Sequence, residues 1–288
     1  SQADSLLQQL ATLWGDEFQM LKDIIVLAMI VHIDETGWRI KEQACFTWIF
    51  TSLLHTILLY GQSREEAVLD AILPRELFQG IGVTDCLKIY EHRFKRAQKC
   101  WAHFLRTAIR LMLSCPHSKT YKAFFHDLYA MFVEGRKAQQ DATLTDPERE
   151  AIVAALQVRM EKLCHRYEEK IPKTASKEKR EFLNLQKRMM RNRDDLFTFV
   201  LIPQVEATNN RAERGFRKTA KARNNYQTSK TKKGAHRRSV IASVLTSLRQ
   251  NLPVFTLQSL TEEVVRWRRE GISLFKRQLQ IMQLASLP

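Results

Sequence analysis

The segment from Ala44 to Gly61 carries no formally charged residue and nearly reaches the length needed to span a membrane. It is, however, interrupted by three threonines, a serine and His55, and it is rich in β-branched and aromatic residues. Such residues favour strands. We therefore expect two adjacent strands, Cys45 to Ser52 and Thr56 to Tyr60, and no membrane-spanning helix.

Two other apolar runs lead into acidic residues. The run beginning at Ile30 reaches Asp34 just before Gly37, where we expect a turn, and a short run from Gly80 to Thr84 reaches Asp85. In chain order, the run from Ile30 is the first predicted strand, the two strands of the uncharged segment are the second and third, and the run from Gly80 is the fourth. A segment of helical period lies between the third and fourth strands. The order strand, strand, strand, helix, strand predicts an α/β sheet that begins with an antiparallel meander.

Helical periodicity dominates the rest of the chain, including the stretch from Ser118 to Asp195. Within it, a capping box at Thr145 opens a helix that we expect to end at Pro172. A second capping box is expected at Ser259. The predicted segments are an N-terminal helical segment (1–29), the first part of the core (30–117), a helical insertion (118–196), the second part of the core with a basic loop (197–252) and a C-terminal helical tail (253–288).

The charge balance indicates a polyanionic partner. Lys and Arg number 46 against 31 Asp and Glu, which gives a net charge of +15. Nucleic acid is the first choice and an anionic membrane surface the second. The five cysteines are odd in number and scattered without a C-x-x-C pair, so we expect a reducing cytoplasm and no zinc site built on such a pair.

One acidic residue stands in an otherwise basic helical stretch, Ala207 to Lys218. There, Ala212 and Phe216 begin an apolar stripe, and Glu213 lies beside it. Glu213 could simply pair with Arg217 one turn later. It could instead be a metal ligand at a site that holds an anionic polymer.

Four short motifs in order resemble the IS66 family of bacterial insertion-sequence transposases. They are D-E-T within His32 to Trp38, T-D followed by a tyrosine within Thr84 to Tyr90, C-W-A-H at Cys100 to His103, and N-N-x-A-E-R at Asn209 to Arg214. The resemblance implies a ribonuclease-H-like mixed sheet, with an all-helical insertion before the last catalytic helix. It also implies that Asp34, Asp85 and Glu213 form a D-D-E triad of catalytic metal ligands.

Such a triad would hold two Mg²⁺ or Mn²⁺ ions, hard cations that bind carboxylate oxygens. In this hypothesis Asp34 bridges both ions, and Asp85 and Glu213 each complete one. Hydrolysis would free a 3′-hydroxyl, which would then attack target DNA. The resemblance further implies double-stranded DNA partners (transposon ends and target), a homodimer, and a cytoplasmic, nucleoid-associated bacterial protein.

Basic residues after the triad glutamate are predicted to contact DNA phosphates. They are Arg214, Arg217, Lys218, Lys221, Arg223, Lys230, Lys232, Lys233, Arg237 and Arg238. For Glu35, next to Asp34 on a strand, we expect the opposite face and a structural role. Cys100 and His103 could bind zinc with two further ligands, but none stands at a suitable spacing, which favours packing or contact with the site.

Two departures from the family pattern matter. Members carry an N-terminal region with helical and cysteine-rich metal-binding segments, and nothing here matches it, which predicts a fragment of a longer protein or a relic. Asn224 also stands where members more often have a lysine. The alternatives to a transposase are a domesticated, non-catalytic DNA-binding protein and a stand-alone nuclease of the same fold.

Overall fold

A computed structural model describes residues 2–171, 173–225 and 228–285. Its five strands form one mixed sheet in the order β3-β2-β1-β4-β5. The strands are β1 (Ile30–Ile40), β2 (Gln43–Thr51), β3 (Thr56–Gln62), β4 (Ile81–Thr84) and β5 (Arg96–Lys99). The helices are α1 (Gln2–Leu13), α2 (Gly15–Val26), α3 (Glu66–Asp70), α4 (Trp101–Ser114), α5 (Lys119–Gln140), α6 (Asp146–His165), α7 (Lys177–Arg191), α8 (Thr198–Leu201), α9 (Asn210–Gly215), α10 (Arg217–Asn224), α11 (Lys232–Asn251), α12 (Leu257–Glu270) and α13 (Leu274–Ala285).

The chain divides into two compact units. The first comprises residues 1–82, 92–95 and 210–288, and the second comprises 83–91 and 96–209. The first unit holds β1 to β3 and the start of β4, and the second holds the end of β4, β5 and helices α4 to α8. No helix in the described part of the chain is long and apolar enough to cross a membrane.

The antiparallel meander predicted from the uncharged segment is confirmed, because β2 pairs antiparallel with both β1 and β3. The turn expected at Gly37 is wrong. Gly37 pairs with Phe46 inside the ladder, and β1 continues to Ile40 before the chain reverses at Lys41, whose φ is 53°. Asp34 therefore lies within a strand and not at its end.

Two elements differ from the predicted order. The predicted fourth strand is confirmed as β4, and Asp85 follows it directly. Strand β5 lies after Asp85, in the part of the chain for which we predict mainly helical structure. The apolar run from Phe197, where we predict the second part of the core to begin, forms the short helix α8. There the Thr198 hydroxyl donates to the Ala97 carbonyl, and the Phe197 ring packs against Trp101 at a tilt of 57°, with ring centroids 5.3 Å apart.

The second unit is helical as expected between Ser118 and Asp195, with α5, α6 and α7 in that range. The capping box at Thr145 is present, and α6 ends at His165. Pro172, where we expected that helix to end, lies outside the described residues. The aromatic stripe of α5 serves as core, since Phe124 is buried and its ring centroid lies 4.9 Å from that of Phe182.

The predicted basic loop between Arg223 and Arg238 is largely helical. The helix α10 continues to Asn224, and α11 begins at Lys232, because Thr231 caps it by accepting a hydrogen bond from the Gly234 amide. The tail likewise begins earlier than expected. Thr256, and not Ser259, caps α12, and Gly271 in the left-handed conformation separates α12 from α13.

The outer edge of β3 is covered by α11 through three serine hydroxyls. Ser239, Ser243 and Ser247 accept hydrogen bonds from the amides of Tyr60 (2.9 Å), Leu58 (2.8 Å) and Thr56 (2.9 Å). Serines four apart on a helix rise about 6 Å per step, and alternate strand residues rise about 6.7 Å, so the two spacings match closely enough for three successive bonds. The otherwise unpaired amides of this edge strand are thus satisfied inside the first unit.

Candidate functional site

Strand β1 presents the D-E-T motif within the sheet of the first unit. Asp34 is half-buried, pairs with Ile49 across the ladder, and accepts a hydrogen bond from the Glu35 amide at Oδ1 (2.9 Å). Glu35 accepts from Arg64 Nε (2.8 Å), and its side chain is only 1% exposed. Because neighbours on a strand point to opposite faces, Glu35 has a structural partner away from Asp34, as expected.

The short helix α9 carries Glu213 onto the same face of the sheet as Asp34. It packs against β1 and β2, and it approaches so closely that a Cβ added at Gly215 would lie 2.2 Å from Ile49 Cδ1. Residues directly opposite in an antiparallel pair project from one face. Since Ile49 is the partner of Asp34, α9 covers the face that bears Asp34.

The helix is shorter than its sequence period indicated. It breaks at Phe216, and Arg217 starts the next helix. Arg217 is exposed and forms no ion pair with any residue in the described ranges, so the simple pairing of Glu213 with Arg217 is not found.

Asp85 follows β4 and belongs to the second unit. It is half-buried, and its Oδ1 accepts a hydrogen bond from the Leu87 amide (2.9 Å). Within the described residues no cationic side chain lies within ion-pair distance of it. One carboxylate oxygen of Asp85 is therefore held by the backbone of its own turn, and the other has no partner among the described residues.

The neighbouring strand β5 carries a buried lysine that sequence reasoning missed. Lys99 Nζ donates to Thr84 Oγ1 and to the Tyr90 carbonyl, each at 3.1 Å. Burial lowers the pKa of Lys99, and the nearby Asp195 carboxylate acts in the opposite direction. Burial also raises the pKa of the Cys86 thiol, next to Asp85, to about 12. The only sequence signal for this residue was its place directly before the C-W-A-H motif.

The C-W-A-H motif anchors the chain that leads into α9. Cys100 is buried, and its Sγ accepts a hydrogen bond from the Asn209 amide (3.1 Å). The Trp101 amide donates to the Ala207 carbonyl (3.0 Å). Two of the four family-like motifs therefore bind each other inside the second unit, which gives Cys100 a positioning role.

The ten predicted DNA contacts divide into two groups. Seven are exposed and form no ion pair with a residue that the structure describes, namely Arg214, Arg217, Lys218, Lys221, Lys230, Lys232 and Lys233. The other three are half-buried and engaged. Arg223 Nη1 donates to Thr36 Oγ1 (3.0 Å) and the Gly37 carbonyl (3.2 Å), Arg237 pairs with Asp4 (2.6 Å), and Arg238 lies over the Trp38 ring, 4.9 Å from its centroid.

Half of the predicted contacts share one concavity. In the first unit, a cavity of about 1220 Å³ is lined by Lys218, Lys230, Lys233, Arg237 and Arg238. Their side chains converge although they come from α10, α11 and the segment before α11. The arrangement concentrates positive charge in one place, where a polyanion would be attracted.

Comparison with known proteins tests the resemblance that the four sequence motifs suggest. The model of the family described as "Transposase IS66 family" matches residues 4–237, well over half of the chain. Neither the search of curated proteins nor the search of solved structures returned a match. The matched range includes all four motifs, the whole second unit, part of the first unit, and Asp34, Asp85 and Glu213. The chain belongs to the IS66 transposase family.

Proposed function

We propose that this chain is the catalytic part of a DNA transposase, which cleaves strands at the ends of an insertion sequence and joins them to target DNA. The observation that carries the proposal is the packing of α9, with Glu213, on the sheet face that bears Asp34. Asp85 follows β4, which is the neighbour of β1 in the sheet order. Family membership supports transposase function in general, and this arrangement supports a D-D-E site in particular.

We further propose that the sheet is ribonuclease-H-like. Supporting this are an antiparallel meander of three strands, the strand order β3-β2-β1-β4-β5, and the four long helices α4 to α7 between β5 and α9. That order puts the first strand of the chain at the centre of the sheet. A carboxylate on the central strand is well placed to meet residues from a neighbouring strand and from a helix lying across it.

The proposed cofactor is a pair of Mg²⁺ or Mn²⁺ ions held by Asp34, Asp85 and Glu213. The donor set fits, because hard divalent ions prefer carboxylate oxygens and Asp85 keeps one oxygen without a described protein partner. When bound, two such ions stabilise the attacking and leaving oxygens of an in-line phosphodiester displacement. The chain itself supplies the fixed carboxylates. The Leu87 amide orients Asp85, and the Glu35 amide orients Asp34.

Double-stranded DNA is the proposed partner of the seven exposed cations near the C-terminal side of Glu213. They are free of ion pairs within the described chain, so phosphate contacts would cost no internal salt bridge. We also propose that two copies act together to pair two transposon ends, and that the protein resides with the bacterial nucleoid.

The test is cleavage and joining of a supercoiled plasmid that carries insertion-sequence ends, in Mg²⁺ and in Mn²⁺. Asp34→Asn, Asp85→Asn and Glu213→Gln should each lower cleavage by about a thousandfold, because a ligand change that removes several kcal/mol of transition-state stabilisation has that effect. DNA binding without metal should stay within about twofold of the parent. Glu150→Gln, an exposed acid on α6, is the matched control.

The outcomes separate the alternatives. Cleavage without joined products would indicate a stand-alone nuclease. Binding without cleavage by the parent would indicate a non-catalytic DNA-binding protein. If any of the three variants cleaved as fast as Glu150→Gln, the assignment of that carboxylate would be wrong.

A further inference from the structure

Helix α7 carries a straight stripe of polar and basic residues along one side. Its members follow spacings of three and four and are Lys177, Arg180, Asn184, Lys187 and Arg191. The opposite side buries Phe182, Leu185 and Met189 in the second unit. Because this spacing keeps residues on one helix face, the stripe extends over about 21 Å of helix.

The stripe borders a groove between α7 and α4. The groove has a volume of about 950 Å³, and its described lining contains no apolar side chain. Six cationic residues line it, namely Arg110, Lys177, Arg180, Lys187, Arg188 and Arg191, against one acid, Glu181. Small-molecule sites are mostly apolar and enclosed, so this lining suits an extended polyanion better.

Most of these cations are available to a ligand. Arg110 pairs with Glu181, and Arg191 pairs with Glu91 (3.1 Å). Lys177, Lys187 and Arg188 form no ion pair within the described ranges. Arg180 donates only to backbone carbonyls, those of Lys173 and Ala175, which fix its guanidinium without neutralising its charge.

The groove ends close to a proposed catalytic residue of the same unit. Glu91, the partner of Arg191, lies in the connection between β4 and β5 that also contains Asp85. A phosphate chain along α7 would therefore be led toward the Asp85 turn.

We propose that the groove between α4 and α7 binds the phosphate backbone of duplex DNA next to the strand that is cut. The inference rests on the proposed function and adds a second DNA surface, in the helical insertion, to the contacts after Glu213. A duplex is favoured over a single strand because the described lining has no aromatic side chain on which a base could stack. The contacts would be to phosphates and would not read sequence.

The experiment measures binding of a fluorescent duplex of about 30 base pairs by anisotropy, with the full chain, in EDTA, between 50 and 200 mM KCl. The groove variant is Lys177→Gln/Lys187→Gln/Arg188→Gln. The control variant removes three exposed lysines of α5 and α6 that form no ion pair within the described residues, Lys122→Gln/Lys137→Gln/Lys162→Gln. Circular dichroism checks that both variants fold.

We expect the groove variant to bind at least tenfold more weakly than the control at 100 mM KCl. Each lost phosphate contact should reduce the slope of log K against log salt by about 0.9. Equal affinity and slope in the two variants would overturn the proposal. So would a groove variant that lost binding to phosphatidylserine vesicles and kept binding to the duplex, since that result would assign the groove to a membrane surface.

Failure of this proposal can be told apart from failure of the proposed function. Anisotropy in EDTA needs no catalysis, so a parent that never cleaves can still show the groove effect. Conversely, a parent that cleaves and joins DNA while the groove variant binds like the control would retain the function and exclude the groove.

Discussion

The serine ladder between α11 and β3 makes a stability prediction that can be worked out from its geometry. Ser243 is fully buried, and its Oγ accepts the Leu58 amide at 2.8 Å. Ser243→Ala would leave that amide without an acceptor on the edge of the sheet. A buried donor left unpaired costs about 1–3 kcal/mol, whereas alanine gains about 0.5 kcal/mol in helix propensity over serine.

The expected net loss of unfolding free energy is therefore about 0.5–2.5 kcal/mol for one serine. Replacing Ser239, Ser243 and Ser247 together would remove about 1.5–7.5 kcal/mol if the sites were additive, a large fraction of the 5–15 kcal/mol that stabilises a typical domain. The triple variant should accordingly be partly unfolded at 37 °C, and the single variants should remain folded.

Urea unfolding followed by circular dichroism gives the stability, and hydrogen exchange measured by mass spectrometry on peptides covering residues 56–62 locates the effect. Thr246→Ala is the matched control, because Thr246 lies on the same helix and makes no side-chain hydrogen bond to a described residue. If Ser243→Ala matched this control in both stability and exchange, the hydroxyl would not be what satisfies the edge strand, and the reasoning would be refuted.

Two further predictions concern single residues. Burial lowers the folded-state pKa of His55 below 6.5, so protonation favours the unfolded chain and stability should fall as the pH drops below about 6.5. Between pH 7 and 5, the urea midpoint of His55→Gln should therefore fall less than that of the parent. An identical dependence of the urea midpoint on pH in the two proteins would contradict this prediction. Arg223 is half-buried and donates to Thr36 and Gly37, so Arg223→Ala should lower the unfolding free energy by about 1.5–3 kcal/mol. Because Lys221 is exposed, Lys221→Ala should change the salt dependence of DNA binding more than Arg223→Ala does. A larger salt effect for Arg223→Ala would show that Arg223 contacts DNA.

The strands that sequence reasoning predicted are those whose residues are apolar and β-branched. The meander from Ile30 to Gln62 belongs to this class. Strand β5 was missed because its four residues, Arg96 to Lys99, include no β-branched residue and only one apolar residue, Ala97. Its lysine is buried only because Thr84 and Tyr90 offer acceptors from elsewhere in the second unit, a condition that no local pattern records.

Errors at turns came from the same dependence on context. Gly37 looked like a turn, yet its place opposite Phe46 keeps it in the ladder, and Lys41, which has no glycine-like freedom, makes the reversal. The glycine that does matter is Gly215, whose lack of a side chain lets α9 approach Ile49. The sequence around Gly215 does not reveal this requirement, because the residue that limits the space, Ile49, lies on β2.

The residues of the proposed site and of the serine ladder likewise differ in how far the sequence predicts their roles. Asp34, Asp85 and Glu213 came from motif resemblance, since three acids separated by 51 and 128 residues share no local periodicity. The spacing of four between the serines of α11 is visible in the sequence. It predicts hydrogen bonds only when an edge strand is known to lie beside the helix. The roles of residues that act within one element can therefore be predicted from the sequence, whereas the roles of residues that depend on a second element cannot.

Net charge is the clearest case of this limit and determines how the DNA hypotheses should be tested. A charge of +15 predicts a polyanion but treats all 46 basic residues alike. In the folded chain Arg237 already pairs with Asp4, whereas Lys187 on α7 forms no ion pair with a described residue. Only a cation without an internal counter-charge gains one when phosphate binds, so substitutions of exposed cations without ion pairs should change the salt slope, and substitutions of ion-paired cations should mainly change stability.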